Sequence, residues 1–399
     1  MTFFLVMALP WLMASAEDEL TVSLITCYPG PEIYELCGHS AIRVRGEEID
    51  SVWNFGIFDF NEPNFVYRFV KGETDYMSAG YPFRWFLPEY VARGSKVVEQ
   101  DLNLTPEESQ NLLNLLRKST LPENRRYRYN YVKDNCSTRI LAKMDSATLE
   151  KIIYPDEVKY GTFRDEMRAY HENYPWYQFG IDLALGSGLD YKLDSREEMF
   201  VPVEMMEKAG EARFSDGRPL VKATRVLNEG TENAVLPATE WWLTPLFWGW
   251  MMGLLTLVIC AFDFKFHRIS VPFFFLWFFV LGLAGWLVGF LVFVSSHEAT
   301  SPNTLFLWLN PFQWLMAIGI TWKKLRPLGI AMAYYNMVVM TVLLIVWPFQ
   351  LQSANPAFFP LMGATAVMGA TYAIISGKSS YNNNRQTGRK KTSTRKKKR

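Results

Sequence analysis

Residues 37–44 read CGHSAIRV and residues 130–144 read NYVKDNCSTRILAKM, and the fold turns on how these two stretches are related. In the first, a histidine precedes SAIRVRG, a run that alternates toward a strand, in a chain with only four histidines. In the second, a polar pair precedes Cys136 while Ile140, Leu141 and Met144 share one helical face. A helix therefore starts there, with Asp134 or Asn135 as its cap and Cys136 in its first turn. Residues 20–26 alternate toward a further strand, and VWNFGIFDF, residues 52–60, toward a third, so an antiparallel sheet carrying His39 comes before the helix carrying Cys136.

Farther along, LTPEESQNLLNLLRKS, residues 104–119, is a scaffold helix: Thr105 is its cap, Pro106 its first helical residue, and Glu108 follows at capping-box spacing. WYQFGIDLALGSGLD, residues 176–190, and REEMFVPVEMMEKAGEA, residues 196–212, read as short helices joined by Gly-rich turns. The stretch RPLVKATRVLNEGTENAVLPATE, residues 218–240, leads toward the membrane and is expected to lie on the bilayer surface rather than swing freely.

Composition divides the 399 residues. The first part is ordinarily charged, whereas residues 241–375 are apolar runs broken by short polar loops. Five segments, 241–262, 271–294, 304–322, 327–347 and 357–375, are each near the length of about 20 residues that a spanning helix needs. Lys265 and Arg268 follow the first, Lys323, Lys324 and Arg326 the third, and RKKTSTRKKKR the fifth, whereas the other two loops carry no Lys or Arg. All the basic loops thus fall on one side, the cytoplasm. An apolar run at residues 3–13 followed by Ala14-Ser15-Ala16 has the form of a signal peptide, although no Lys or Arg precedes it. The expected organisation is a signal peptide at 1–16, an exported α+β domain at 17–235 with an antiparallel sheet and helices, an all-α five-helix transmembrane bundle at 236–376, and a basic cytoplasmic tail at 377–399. Trp241, Trp242, Trp248 and Trp250 fit an interfacial belt. The terminal basic cluster follows a span, so it suits anionic headgroups better than nucleic acid. No P-loop, GxGxxG or spaced Cys/His metal set is visible, and neither a cofactor nor a metal is expected.

A thiol is nucleophilic only as thiolate, and a helix start together with an imidazole favours that form. Cys136 and His39 are the pair that meets both conditions. A side-chain amide on the neighbouring strand could orient the imidazole; Asn54 is the choice, with Asp59 also within reach of such a sheet. Backbone N–H groups around Cys136 would form an oxyanion hole. The bland alternatives are a structural histidine and a buried cysteine serving as a small hydrophobe. Cys37, two residues before His39, competes for the nucleophile role, and Cys27 less so. An exported domain also permits a disulfide between Cys27 and Cys37.

The order of His strand then Cys helix resembles the circularly permuted papain-like superfamily. The longer string, LITCYPGPEIYELCGHSAIRV, VWNFGIFDF, YRYNYVKDNCSTR, WYQFGIDLALG, REEMFVP and HEATSPNTLFLWLNPFQW, resembles the Bacteroidetes lipoprotein N-acyltransferase family, Lnb. That resemblance runs from about residue 22 to the end of the spans. It implies His39 as catalytic base and Cys136 as nucleophile, and it leaves Asn54 undecided. It also implies a bacterial inner-membrane enzyme with a periplasmic N-terminal domain. A phospholipid would be the acyl donor and the α-amine of a lipoprotein's N-terminal cysteine the acceptor. Arg43 and Arg139 flank the proposed pair and could hold a phosphate. His297, Asn303 and Asn310, with Glu298 and Gln313, sit where headgroups would approach the spans. A membrane-anchored cysteine peptidase or amidase acting on cell-wall peptides would use the same pair, and a non-catalytic receptor or assembly factor would need neither.

Overall fold

A computed structural model describes residues 20–231 and 236–396, with side chains described as far as residue 377. The expected signal peptide lies outside the described residues. Three strands open the N-terminal domain: β1 (Thr21–Cys27), β2 (His39–Arg45) and β3 (Asp50–Ile57). They are followed by α1 (Phe65–Lys71), β4 (Asp75–Pro82), α2 (Phe83–Ala92), β5 (Val97–Leu102), α3 (Pro106–Ser119), β6 (Arg126–Arg128) and α4 (Cys136–Ala147). Then come β7 (Ile152–Ile153), α5 (Phe163–Tyr170), α6 (Pro175–Ala184), α7 (Ser195–Glu198), α8 (Pro202–Glu211), β8 (Arg213–Phe214) and β9 (Val221–Asn228). Strands β6-β4-β3-β2-β1-β5-β9 form one sheet in that order, antiparallel throughout, as the sequence led one to expect.

Alternation sorts the sheet's two faces. Val22, Leu24, Ile42, Val44, Trp53 and Phe55 point to one side, where they pack with apolar residues of α3, α4 and α8. Ile25, Cys27, Ala41 and Val52 point to the other, against Phe83, Phe86 and Tyr90 of α2. The scaffold helix α3 has the capping box expected at Thr105 and Glu108. Residues 221–228, part of the stretch leading to the spans, form β9, paired with β5 at the edge of the sheet. The β-branched residues Val221, Thr224 and Val226 suit a strand, and Arg225 reaches Glu99 and Asp101.

In the C-terminal region α9 (Pro245–Phe266), α10 (Val271–Phe293), α11 (Gln313–Thr321), α12 (Arg326–Val346) and α13 (Phe358–Lys396) follow. Among the described residues four helical stretches are long and apolar enough to cross a membrane: Pro245–Phe266, Val271–Phe293, Lys323–Phe349 and Phe358–Gly377. The third expected span, residues 304–322, departs from a continuous helix. It consists of a 3₁₀ turn at Thr304–Leu307, an irregular stretch and the nine-residue α11, which at about 1.5 Å per residue covers less than half of a hydrocarbon core about 30 Å thick. The segment nonetheless runs antiparallel along α10. Phe306 meets Phe293 with ring centroids 5.1 Å apart, and Trp314 stacks on Phe279 at 5.7 Å. Pro311, which has no N–H to donate, helps explain the break. Gly285 of α10 makes room for it, because a Cβ there would lie 2.2 Å from the Asn310 carbonyl carbon.

The two regions are fastened together at several points. The Gly186 and Ser187 N–H groups donate to the Ala299 and Pro302 carbonyls at 2.8 Å each. Ser296 N–H donates to Lys71 O at 2.9 Å, and Trp176 Nε1 to Leu243 O at 2.7 Å. Beneath these lies a fully buried cation, Arg164. It binds Asp190 through two nitrogens at 2.8 and 3.0 Å and Asp182 at 2.9 Å, while Asp182 also accepts from Arg168 and from Asn355 of the C-terminal region.

Candidate functional site

Cys136 is the first residue of α4. Asn135 caps that helix: its Oδ1 accepts from Thr138 N–H at 3.0 Å, and Thr138 Oγ1 accepts from Asn135 N–H at 2.8 Å. The Asn135 amide nitrogen is fixed in turn by the carbonyls of Tyr131 and Phe200, at 2.8 and 2.9 Å. Of the two caps suggested by the sequence, Asn135 is the one used. Ser137 Oγ lies 3.2 Å from Ser40 Oγ, which holds the helix start against the beginning of β2.

His39 is the first residue of β2, opposite Cys27. Gly38 before it adopts φ +76°, and a Cβ there would lie 2.5 Å from the Cys27 carbonyl oxygen, so the tight approach into the strand requires glycine. Asn54 of β3 pairs with Ala41, which makes His39 and Asn54 diagonal neighbours on one face. The ring Nε2 of His39 is 2.5 Å from Asn54 Oδ1. With the amide oxygen as acceptor, Nε2 carries the proton and Nδ1 is left to face a thiol. The Asn54 amide nitrogen donates to Tyr81 Oη at 3.1 Å, fixing the amide's orientation, and Tyr90 stacks over the imidazole with centroids 6.3 Å apart. Asp59, the other sequence candidate, accepts hydrogen bonds from Asn61 in an exposed turn.

Sulfur and imidazole meet at the end of the sheet. Burial opposes ionisation of the Cys136 thiol. The neighbouring, hydrogen-bonded His39 imidazole, the Ser40 backbone N–H and the Ser137 side chain outweigh it, so the thiol's pKa falls below its ordinary value. Burial likewise works against the charged form of His39, but the charge of Cys136, its hydrogen bond and that of Asn54 leave the histidine's pKa raised. The two shifts favour a thiolate–imidazolium pair. The competing thiols behave in the opposite way. Burial pushes Cys37 up to about 12 despite its contact with Tyr131 Oη at 3.1 Å, and burial raises Cys27 well above its usual value. Cys27 and Cys37 are both free thiols, packed into different apolar clusters, so the disulfide considered from sequence is not formed. Cys37 also precedes β2 with Gly38 intervening, so it does not share a strand face with the imidazole.

The other sequence candidates are placed elsewhere. Arg43 is two alternations down β2 from His39, held by Asp50 at 2.7 and 2.8 Å and by Glu99 at 3.2 Å, with its guanidinium 3.5 Å from the Phe83 ring centroid. Arg139 pairs with Asp134 at 2.8 Å and stacks over Tyr127. His297 meets the Phe69 carbonyl at 2.8 Å, and Asn303 donates to Leu183 O at 3.2 Å, so both join the two regions. Glu298 pairs with Lys133 at 3.0 Å. Asn310 donates to the Leu307 carbonyl at 3.2 Å, and Gln313 donates to Trp308 O at 2.9 Å and exchanges amide hydrogen bonds with Asn336. These are repairs to an unwound backbone in an apolar setting. Sequence reading missed Tyr81 and Tyr90, which no motif marks, and the serine pair, whose only signal is that Ser40 follows His39 as Ser137 follows Cys136. Among the described residues no group of three or more His, Cys, Asp or Glu side chains could hold a metal ion.

A thiol at a helix start, an imidazole and a side-chain amide thus lie together at the end of the sheet, on an α+β domain fastened to a helical bundle with candidate membrane spans; these are the side-chain types that cysteine-dependent acyl transfer uses. The Lnb N-terminal periplasmic domain matches residues 9–165 and the Lnb transmembrane domain residues 237–380. The chain belongs to the Lnb family, and membership supports a membrane-bound role like that of a lipoprotein N-acyltransferase. No curated protein and no solved structure matches the chain.

Proposed function

We propose that this protein moves a fatty acyl group from a phospholipid, through a thioester on Cys136, to the α-amine of a lipoprotein's N-terminal diacylglyceryl-cysteine. The observation that carries this reading is the Cys136–His39–Asn54 arrangement, with the thiol's pKa lowered and the imidazole's raised, in a domain fastened to a helical bundle. The Cys136 thiolate attacks the ester carbonyl carbon. The developing oxyanion is met by backbone N–H groups at the start of α4, a type of contact whose loss costs about 3 to 4 kcal/mol in other acyl transfers. The ester C–O bond breaks, His39 gives its Nδ1 proton to the departing alkoxide, and a lysophospholipid leaves. The acceptor amine then attacks the thioester carbonyl. Its proton passes to His39, the C–S bond breaks, and an amide and the thiolate result. Pulling a sixteen-carbon chain into water would cost on the order of 12 kcal/mol at about 0.8 kcal/mol per CH₂. The bundle supports the reading because it lets such a chain stay in apolar surroundings.

Basic residues support the topology. Lys265, Arg268, Lys323, Lys324 and Arg326 cluster at the ends of α9, α11 and α12 away from the N-terminal domain, which suits an inner-membrane protein with its basic tail in the cytoplasm. The test is to incubate the purified full-length protein with phospholipid and examine the Cys136 peptide by mass spectrometry. An acyl adduct that hydroxylamine removes and that Cys136→Ala lacks is expected. The same adduct in Cys136→Ala would overturn the assignment.

A further inference from the structure

Helix α1 has no buried residue, yet it is mostly apolar: Val66 is 73% and Tyr67 56% exposed. Three contacts tie it to the end of α10. Ser295 Oγ donates to Val70 O at 2.9 Å, Ser296 Oγ donates to Gly72 O at 2.9 Å, and the His297 ring meets Phe69 O. Between α1 and α10 opens a cleft of about 760 Å³ walled by Val66, Tyr67, Val70 and Phe290. Phe290 belongs to a candidate membrane span, so one wall of the cleft is part of the apolar bundle. The charges beside it are already paired, Arg68 with Glu62 and Lys71 with Glu73, which leaves little for a charged peptide to recognise.

From the cleft a row of rings leads inward. Phe65 contacts Phe60 at 5.2 Å between centroids, Phe60 contacts Phe58 at 4.7 Å, Phe58 contacts Tyr76 at 5.1 Å, and Tyr76 stacks on Tyr129 at 4.2 Å. Tyr129 stands at the mouth of the tight loop, closed by Asn130 and Asp134 exchanging backbone hydrogen bonds at 3.2 and 2.9 Å, that delivers Cys136. Burial raises the Tyr129 phenol's pKa, and the charge of Cys136 adds to the rise.

We infer that the cleft between α1 and α10 admits the acyl chain of the donor phospholipid, which lies along this aromatic row with its ester carbonyl at Cys136. The inference rests on the thioester reading above. The donor's chain is assigned rather than the acceptor's because the row leads to the loop that delivers Cys136, where the donor's carbonyl must lie. The test embeds the full-length protein in vesicles of phosphatidylethanolamine bearing a photoreactive diazirine at the end of the acyl chain. Crosslinks are expected within residues 60–70 and around Phe290; crosslinks confined to other helices would overturn the inference. In parallel, Val70→Trp narrows the cleft. Acylation of Cys136 by sixteen-carbon phospholipid, relative to acylation by the small ester p-nitrophenyl acetate, is expected to fall about tenfold, the equivalent of roughly two methylenes left unburied. An unchanged ratio would overturn the inference, and if the variant loses both reactions through misfolding the crosslink pattern decides. If wild-type Cys136 accepts no acyl group from either donor, the thioester reading fails by itself, and the crosslinks still report whether the cleft holds a chain.

Discussion

Polar side chains have different roles in the two halves of the molecule. At the sheet's end they converge on one sulfur: Tyr81 holds Asn54, Asn54 holds His39, and His39 faces Cys136. In the bundle they satisfy one another. Gln313 and Asn336 exchange hydrogen bonds at 2.9 Å in both directions, Trp277 and Trp308 both donate to Thr365 at 3.2 Å, and Gln352 donates to Asn303. The contrast shows that a polar residue between spans signals function only when its bonding capacity is left directed at something outside the fold. Where water is scarce, the backbone's own needs come first.

The sharpest way to break the contrast is at the imidazole. His39→Ala is expected to slow acylation of Cys136 by about 10²- to 10⁴-fold, the range for losing a positioned acid–base group. Its pH profile should move as well. In the wild type the thiolate forms below the ordinary thiol pKa of about 8.5, so alkylation by iodoacetamide stays fast below that pH. Without the imidazole, burial is no longer outweighed and the midpoint shifts upward. An unmoved midpoint would show that His39 does not govern the sulfur.

Next in size is Arg164→Ala, which leaves buried Asp190 without its cation and Asp182 with Arg168 as its remaining one. Stability of the full-length protein in detergent should drop by about 3–5 kcal/mol by denaturant unfolding, even though Arg164 belongs to neither the thiol site nor the bundle's helices. In the bundle, a double-mutant cycle of Gln313→Leu and Asn336→Leu should return a coupling of about 0.6 kcal/mol and at most about 1.7. A larger loss of acyl transfer than of stability would reassign that pair to substrate. Smallest is Arg43→Gln. With its guanidinium already held by Asp50 and Glu99, acyl transfer per folded molecule should change less than about twofold. A specific rise in the apparent KM for phospholipid would restore the headgroup role that the sequence suggested.

Much of this was legible in the sequence because local rules suffice for it. Alternation marked β1, β2 and β3, capping chemistry marked α3 and α4, and charge bias marked the two ends of the spans. His39, Asn54 and Cys136 could be chosen because a strand neighbour and a helix start are both features of local sequence. What escaped depends on contacts distant in the chain. Residues 221–228 form a strand only because β5 offers an edge, and Arg43 is unavailable only because Asp50 and Glu99 surround it. The third apolar segment has the length and hydropathy of a helix, but its winding is interrupted at Pro311 and accommodated by a glycine on a different helix.

The fastenings between Gly186 and Ala299, Ser296 and Lys71, and Asn355 and Asp182 fix the height of the sulfur over the helical bundle, as bolts set the height of a shelf. A head that cannot rise or tip has to be met at its own level. If the acceptor is the lipoprotein proposed above, it qualifies by how far its amine stands from its lipid anchor, which the three-carbon glycerol and one cysteine make the same for every member of the class, whatever protein follows.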